Sequence, residues 1–231
     1  MTGTTLVTGA ASGLGAYLSA ELEGAPWRRG ESFPAAAGTI IHCAANARRA
    51  AGPAQRAAQR EDNVGLTERL LALPHERFVL VSTVEAAAPA SDYARDKREA
   101  EALAAARGRR PLILRCGALL GPGMRPNSLT RLAEGRPLTL SGDSRFAWVL
   151  YSQVRDFLAA ALDRGLEGTY NLVPRRTATL AEAAAALGLA PAWGGHLYIS
   201  PEADGSAARA VCPAFEREAL ENAVAFVRGT T

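Results

Sequence analysis

The sequence predicts an α/β protein built on a doubly wound parallel sheet, on three observations. Apolar runs of strand length alternate with alanine-rich runs of helix length, the first apolar run ends in a glycine-rich turn, and the rhythm loosens beyond Gly121-Pro122-Gly123. Strands that alternate with helices are joined by crossovers, and crossovers cover both faces of a parallel sheet. In chain order, the apolar run at 4–7 predicts the first strand, and the segment at 14–22 predicts a helix leaving its glycines. Thr39-Ile40-Ile41-His42 predicts the next strand and 55–73 its helix, while Phe78-Val79-Leu80-Val81 and 93–106 repeat the pair before a strand at 112–114. Helices are predicted again at 154–162, at 180–187 with its alanine run, and at 218–227, in what reads as a small C-terminal substrate cap from residue 121 onward on a single domain.

Composition narrows the class. The chain has 231 residues, 48% of them hydrophobic and 21% charged, which suits a globular domain with a real core. A net charge of +3 comes from dispersed arginines, so neither nucleic acid nor a membrane is expected as a partner. Cys43, Cys116 and Cys212 lie far apart without metal-ligand spacing, and no apolar run reaches membrane-spanning length. A cytoplasmic protein with reduced thiols and no metal is expected, with a small-molecule substrate and a homodimer left open.

Two motifs carry chemistry. In Thr8-Gly9-Ala10-Ala11-Ser12-Gly13-Leu14-Gly15, the glycines allow a tight turn, close approach of a pyrophosphate and packing of helix on strand, and the helix start offers free N–H groups to the anion. Gly9, Ser12, Gly13, Leu14 and Gly15 are therefore candidate dinucleotide contacts in a Rossmann-type sheet. The second motif is the one lysine among 26 basic residues, Lys97, four positions after Tyr93. Positions i and i+4 share a helix face, and a cation beside a phenol favours the phenolate, bringing a group of pKa near 10 toward neutral pH.

With these pieces in place, the chain resembles the short-chain dehydrogenase/reductase superfamily, and most closely its NAD-dependent epimerase/dehydratase branch. Ile40-Ile41-His42-Cys43-Ala44-Ala45-Asn46 is similar to the strand end where small residues let the ribose lie close. Asp62-Asn63-Val64-Gly65 resembles the helix whose asparagine supports the site, and Val81-Ser82-Thr83 the strand that delivers a catalytic hydroxyl. Leu114-Arg115-Cys116-Gly117 resembles the loop over the nicotinamide.

The resemblance implies NAD(P)-dependent oxidoreductase or epimerase chemistry at a hydroxyl or carbonyl centre of a small polar metabolite, of nucleotide-sugar or specialised-metabolite type. Tyr93 is the implied acid/base, Lys97 the ribose anchor, Thr83 the partner of the reacting oxygen with Ser82 as its substitute, and Asn63 a support. Ala44, Ala45, Cys116 and Gly117 are implied cofactor contacts. Met124, Asn127, Arg145, Trp148 and Tyr151 are candidates on the substrate side. A non-catalytic dinucleotide sensor, and a lyase or cyclase using Tyr93 with Glu85, are the rival readings.

Two departures stand out. Only about fifteen residues separate the first helix from the strand at 39, and a crossover itself needs about a dozen, so the region of strands 2 and 3 is shortened. Within it, Glu31 could read the ribose of NAD, whereas Arg28 and Arg29 could pair with the extra phosphate of NADP, and the arginine fork tips the expectation slightly to NADP. Further on, Gln153 stands where the family often has aspartate, which keeps a hydrogen bond without the charge.

Overall fold

Each short apolar run closes into a strand flanked by helices. The computed structural model describes residues 3–48 and 50–230. In chain order the elements are β1 (Thr5–Thr8), α1 (Gly13–Glu21), β2 (Ala25–Trp27), β3 (Ala37–His42), α2 (Pro53–Arg60), a π-helical turn (Glu61–Gly65), α3 (Leu66–Leu71), β4 (His75–Thr83), a 3₁₀ turn (Val84–Ala87), α4 (Asp92–Arg107) and β5 (Leu112–Cys116). There follow β6 (Ala118–Leu120), α5 (Ser128–Ala133), β7 (Arg145–Phe146), β8 (Trp148–Leu150), α6 (Tyr151–Asp163), β9 (Gly168–Leu172), β10 (Ala178–Thr179), α7 (Leu180–Leu187), α8 (Ser206–Val211), a second 3₁₀ turn (Pro213–Glu216) and α9 (Ala219–Arg228).

The main sheet runs β2-β1-β3-β4-β5-β9, with β1 parallel to both β2 and β3 and β3 parallel to β4. The expected Rossmann-type α/β fold is thus observed. Ile40, Ile41, Phe78, Val79 and Leu80 have no exposed surface, and each such side chain removed from water stabilises the fold by about 1.5–3 kcal/mol. They face covered sides of the sheet, which is why their strands read as continuous apolar runs and not as alternating ones.

The shortened region keeps its second strand and dispenses with a third among the described residues. β2 was not legible because Ala25-Pro26-Trp27 contains proline, which an edge strand tolerates since one of its sides needs no donors. Residues 28–36 then lead from β2 to β3 on the other side of β1, without a helix. Trp27 and Phe33 stack with ring centroids 4.7 Å apart and pack against the sheet core, giving this connection its own apolar anchor.

The expected helix at 55–73 is broken in its middle by the π-helical turn. Such a turn inserts one residue into a helix and is common at functional sites. Here it contains Asn63, whose side chain bonds the backbone of Asn46 instead of facing solvent.

The described residues divide into two compact units: Met1–Arg115 with Ala161–Tyr170, and Cys116–Ala160 with Asn171–Thr231. The second unit thus begins at Cys116, earlier than the cap expected from residue 121, and residues 161–170 return to the first. Its core gathers Leu120, Leu129, Leu132, Trp148, Leu150, Leu180 and Ala223. β6 pairs with β8 in parallel and β7 with β10 antiparallel. Thr179 and Glu182 form a capping box at the start of α7, and Gly188 in the left-handed region ends it.

Candidate functional site

The glycine turn has the geometry its composition predicts. Gly9 and Gly13 take φ of +73° and +60°, where a side chain is strained. A Cβ on Gly9 would also lie 2.8 Å from the Ala44 nitrogen, and one on Gly15 would strike the Gly9 carbonyl and lie 2.8 Å from the Thr8 carbonyl oxygen. Gly9 therefore lets β1 touch the end of β3, and Gly15 lets α1 lie on the turn, while Leu14 is buried behind it. Ser12 precedes α1 with an extended backbone and no side-chain cap, and the first turn of α1 has no acidic residue, so its leading N–H groups face no competing carboxylate from that turn.

The exit of β3 is fixed by side chains. The Ala44 N–H donates to Thr8 Oγ1 at 3.2 Å, the Asn46 N–H donates to Asn63 Oδ1 at 2.7 Å, and Asn63 Nδ2 donates back to the Asn46 carbonyl at 3.1 Å. Asn63 is 1% exposed and also donates to Asp96 Oδ2 at 3.2 Å. The buried Asp96 receives both arms of Arg56, at 2.5 and 2.8 Å. Asn63 thereby ties the strand exit carrying Ala44 and the exposed Ala45 to α4, the helix of Tyr93 and Lys97. His42, with no exposed surface, lies within hydrogen-bond distance of Thr8 and Thr67. Burial first, and the nearby Lys97 charge second, lower its pKa to about 3, so it is neutral at physiological pH. The Cys43 thiol is pushed up to about 12 by burial, which outweighs the opposing effect of Lys97, and it stays protonated.

Helix α4 starts where Ser91 accepts the Ala94 N–H at 3.1 Å, which puts Tyr93 in its first turn and Lys97 one turn on. Tyr93 is half-buried. Lys97 is 1% exposed, and its Nζ donates to the Val81 carbonyl at 2.6 Å. Lys97 is therefore a buried ammonium aligned by a strand carbonyl and not a solvated surface cation.

Thr83 and Ser82 point to different tasks because neighbours on a strand face opposite sides. Thr83 Oγ1 accepts the Glu85 N–H at 3.3 Å at the start of the 3₁₀ turn. The Ser82 hydroxyl, buried, donates to Glu101 Oε1 at 2.5 Å, and Glu101 holds Arg115 through both carboxylate oxygens, with a shortest contact of 2.7 Å. Ser82 is thus engaged in a buried cluster that braces β4, α4 and β5. Glu101 had a sequence signal, since it follows Lys97 by four positions, on one helix face with it. Asp96, and the pairing of Thr67 with His42, had none, because these partners lie 25 to 40 residues apart.

In the region of β2, Arg28 is exposed and its N–H donates to Glu31 Oε2 at 2.8 Å, while exposed Arg29 pairs with Asp62 at 2.5 Å. Glu31 is therefore occupied in closing its own turn. Cys116 and Gly117 stand in the second unit: Cys116 is buried, and the Gly117 N–H donates to the Leu172 carbonyl at 3.0 Å. Among the substrate-side candidates, Trp148 is part of the second unit's core, Tyr151 is buried, and the half-buried Asn127 caps α5. Met124 is half-buried and Arg145 exposed. Gln153 keeps the expected bond, accepting the Leu150 N–H at 2.8 Å. Among the described residues, no group of three or more His, Cys, Asp or Glu could hold a metal, and no helix is long and apolar enough to cross a membrane.

The NAD dependent epimerase/dehydratase family model matches residues 30–172, and the chain belongs to that family. Comparison with curated proteins returns no match. Among solved structures, it is similar to UDP-glucuronic acid 4-epimerase from Bacillus cereus in complex with UDP-glucuronic acid and NAD, at 17% identity and a TM-score of 0.76, covering 99% of this chain and 100% of that one. MoeE5 in complex with UDP-glucose and NAD gives 23% identity and 0.80, covering 99% and 98%. RMD from Pseudomonas aeruginosa complexed with NADPH gives 14% and 0.74, covering 98% of each. Likeness at these identities establishes the shared fold.

Proposed function

We propose that the chain is an NAD(P)-dependent oxidoreductase or epimerase acting on a hydroxyl or carbonyl carbon of a nucleotide-linked sugar or a similar small polar metabolite. The observation that carries this reading is the half-buried Tyr93 one turn before the buried Lys97, whose ammonium is held by the β4 carbonyl of Val81. The dinucleotide fits the residues present. A Cβ at Gly9 or Gly15 would collide with backbone, and the start of α1 meets neither a side-chain cap nor an acidic first turn. When bound, the nicotinamide supplies the acceptor or donor for the hydride.

The chain's own residues handle the proton and the geometry. Thr83 uses a lone pair on the Glu85 N–H, so its hydroxyl hydrogen can be given to the substrate oxygen. Tyr93 moves the proton at that oxygen, with Lys97 one turn further along the same helix. The Ser82 hydroxyl gives its hydrogen to Glu101, which favours Thr83 over it as the partner of the reacting oxygen. Cofactor choice leans to NADP, since Glu31 is occupied by the Arg28 N–H and Arg28 itself is exposed at the end of β2.

Two of the similar solved structures carry UDP-sugars, which makes UDP-glucose and UDP-glucuronic acid the first substrates to try. Purified protein is incubated with each UDP-sugar and with NAD⁺ or NADP⁺. Absorbance of the reduced nicotinamide and mass spectrometry of the sugar then report turnover. Conversion that disappears in Tyr93→Phe supports the reading, and conversion that persists in that variant refutes the assigned chemistry.

A further inference from the structure

We propose that His42 is a positioning residue for the dinucleotide: a neutral imidazole with its hydrogen on Nε2 that locks the Thr8 hydroxyl and, through Thr67, ties the glycine turn to Asn63. The inference rests on the proposed function, because it concerns the seat of the cofactor.

Hydrogen counting fixes the direction of every bond in the chain. Thr67 Oγ1 donates its one hydrogen to the Asn63 carbonyl at 2.8 Å, so toward His42 Nε2, 3.0 Å away, it can only accept. Nε2 therefore carries the hydrogen. In a neutral ring Nδ1 is then an acceptor, and Thr8 Oγ1, 2.7 Å from it, must be the donor. With its hydrogen committed, Thr8 keeps lone pairs for the Ala44 N–H at 3.2 Å. Burial and the Lys97 charge both disfavour the imidazolium, which would supply a second donor facing Thr8 and break this order.

The chain links the three places that shape the cofactor seat. Thr8 immediately precedes Gly9, whose missing side chain lets the turn lie against Ala44. The β3 exit is held at two points, at Ala44 by Thr8 and at Asn46 by Asn63. Asn63 provides both ends of the closure: its carbonyl anchors Thr67, and its side chain anchors Asn46. Without the imidazole the Thr8 hydroxyl is free to rotate, and the gap between glycine turn and strand exit is no longer set.

The test combines one measurement on the wild type with a variant series. Three histidines are present, which makes the ¹⁵N imidazole spectrum readily assigned. His42 is expected as the Nε2–H tautomer at neutral pH, and an Nδ1–H tautomer or an imidazolium overturns the proposal. NADH and NADPH are then titrated by fluorescence into wild type, Thr8→Val, Thr8→Ser, Thr67→Val and Thr67→Ser, with thermal melts run beside them. The valine variants should bind at least about tenfold more weakly, and the serine variants, which keep the hydroxyl, should stay within about threefold of wild type. Equal affinity in valine and serine variants overturns the positioning role, because packing alone would then account for the site. A wild type that binds neither dinucleotide overturns the proposed function and this inference with it, whereas the tautomer result is read independently of binding.

Discussion

Acid should weaken the fold through His42 before it reaches the carboxylates. The imidazole has a folded-state pKa of about 3 against an ordinary 6.5, so between these values the unfolded chain binds one proton that the folded chain refuses. The sign follows directly: a lowered pKa leaves stability intact above about 6.5 and removes it as pH falls toward 3. Integrating the linkage from about pH 7.5 to about pH 4.5 gives a loss of about 2.5 kcal/mol from this single group. The nearby Lys97 charge adds to the effect of burial on His42, and neighbouring Cys43 stays a thiol across that window. Asp92, Glu182 and Asp204 are lowered by their hydrogen bonds, to Arg95, Thr179 and Ser206 respectively, and so lose their share only at lower pH. Guanidinium unfolding at a series of pH values measures the loss in wild type and in His42→Gln, where Gln keeps one donor and one acceptor without titrating. The wild-type curve should fall and the variant curve should stay flatter by about the same 2.5 kcal/mol. Parallel curves for the two proteins would refute the assignment of a refused proton to His42.

Other perturbations separate chemistry from support. Tyr93→Phe removes only a hydroxyl from a half-buried ring, so turnover should fall by orders of magnitude with little change in the melting temperature. Lys97→Arg forces a broader group into a site that is 1% exposed, so turnover should also collapse, and overpacking should cost about 1–3 kcal/mol in a denaturant titration. Glu101→Gln leaves Arg115, whose side chain is 24% exposed, without its countercharge. That loss should lower stability by about 2 kcal/mol, and Arg115→Met in the same protein should recover most of it. An Arg28→Ala, Arg29→Ala double variant should lose any preference for NADPH over NADH by at least about tenfold in titration, Arg28 being the larger contributor because Arg29 already pairs with Asp62.

What the sequence revealed and what it hid follow from the range of the interactions. The glycine turn, the Tyr93–Lys97 spacing and the apolar strands are local patterns, and each appears in the fold where expected. β2 was hidden because an edge strand needs only half its hydrogen bonds, which lets Pro26 stand in it. The π-helical turn was hidden because it depends on Asn63 reaching Asn46, 17 residues away. Ser82 and Thr83 are adjacent and chemically alike, and only the pleat of β4, with Glu101 on one side and Glu85 on the other, separates bracing from candidate catalysis. The cap that Asn127 provides to α5 and the place of Trp148 in the second unit's core were not legible either, because both depend on packing beyond the local sequence.

The central claim is that the glycine turn seats a dinucleotide beside Tyr93 and Lys97, and calorimetric titration of NAD⁺, NADH, NADP⁺ and NADPH tests it most directly. At least one should bind in the micromolar range, and Gly13→Val, which places a β-branched residue at a φ of +60°, should abolish binding with helix content nearly unchanged. Absence of binding by all four at millimolar concentration, or unchanged affinity in Gly13→Val, would contradict the account.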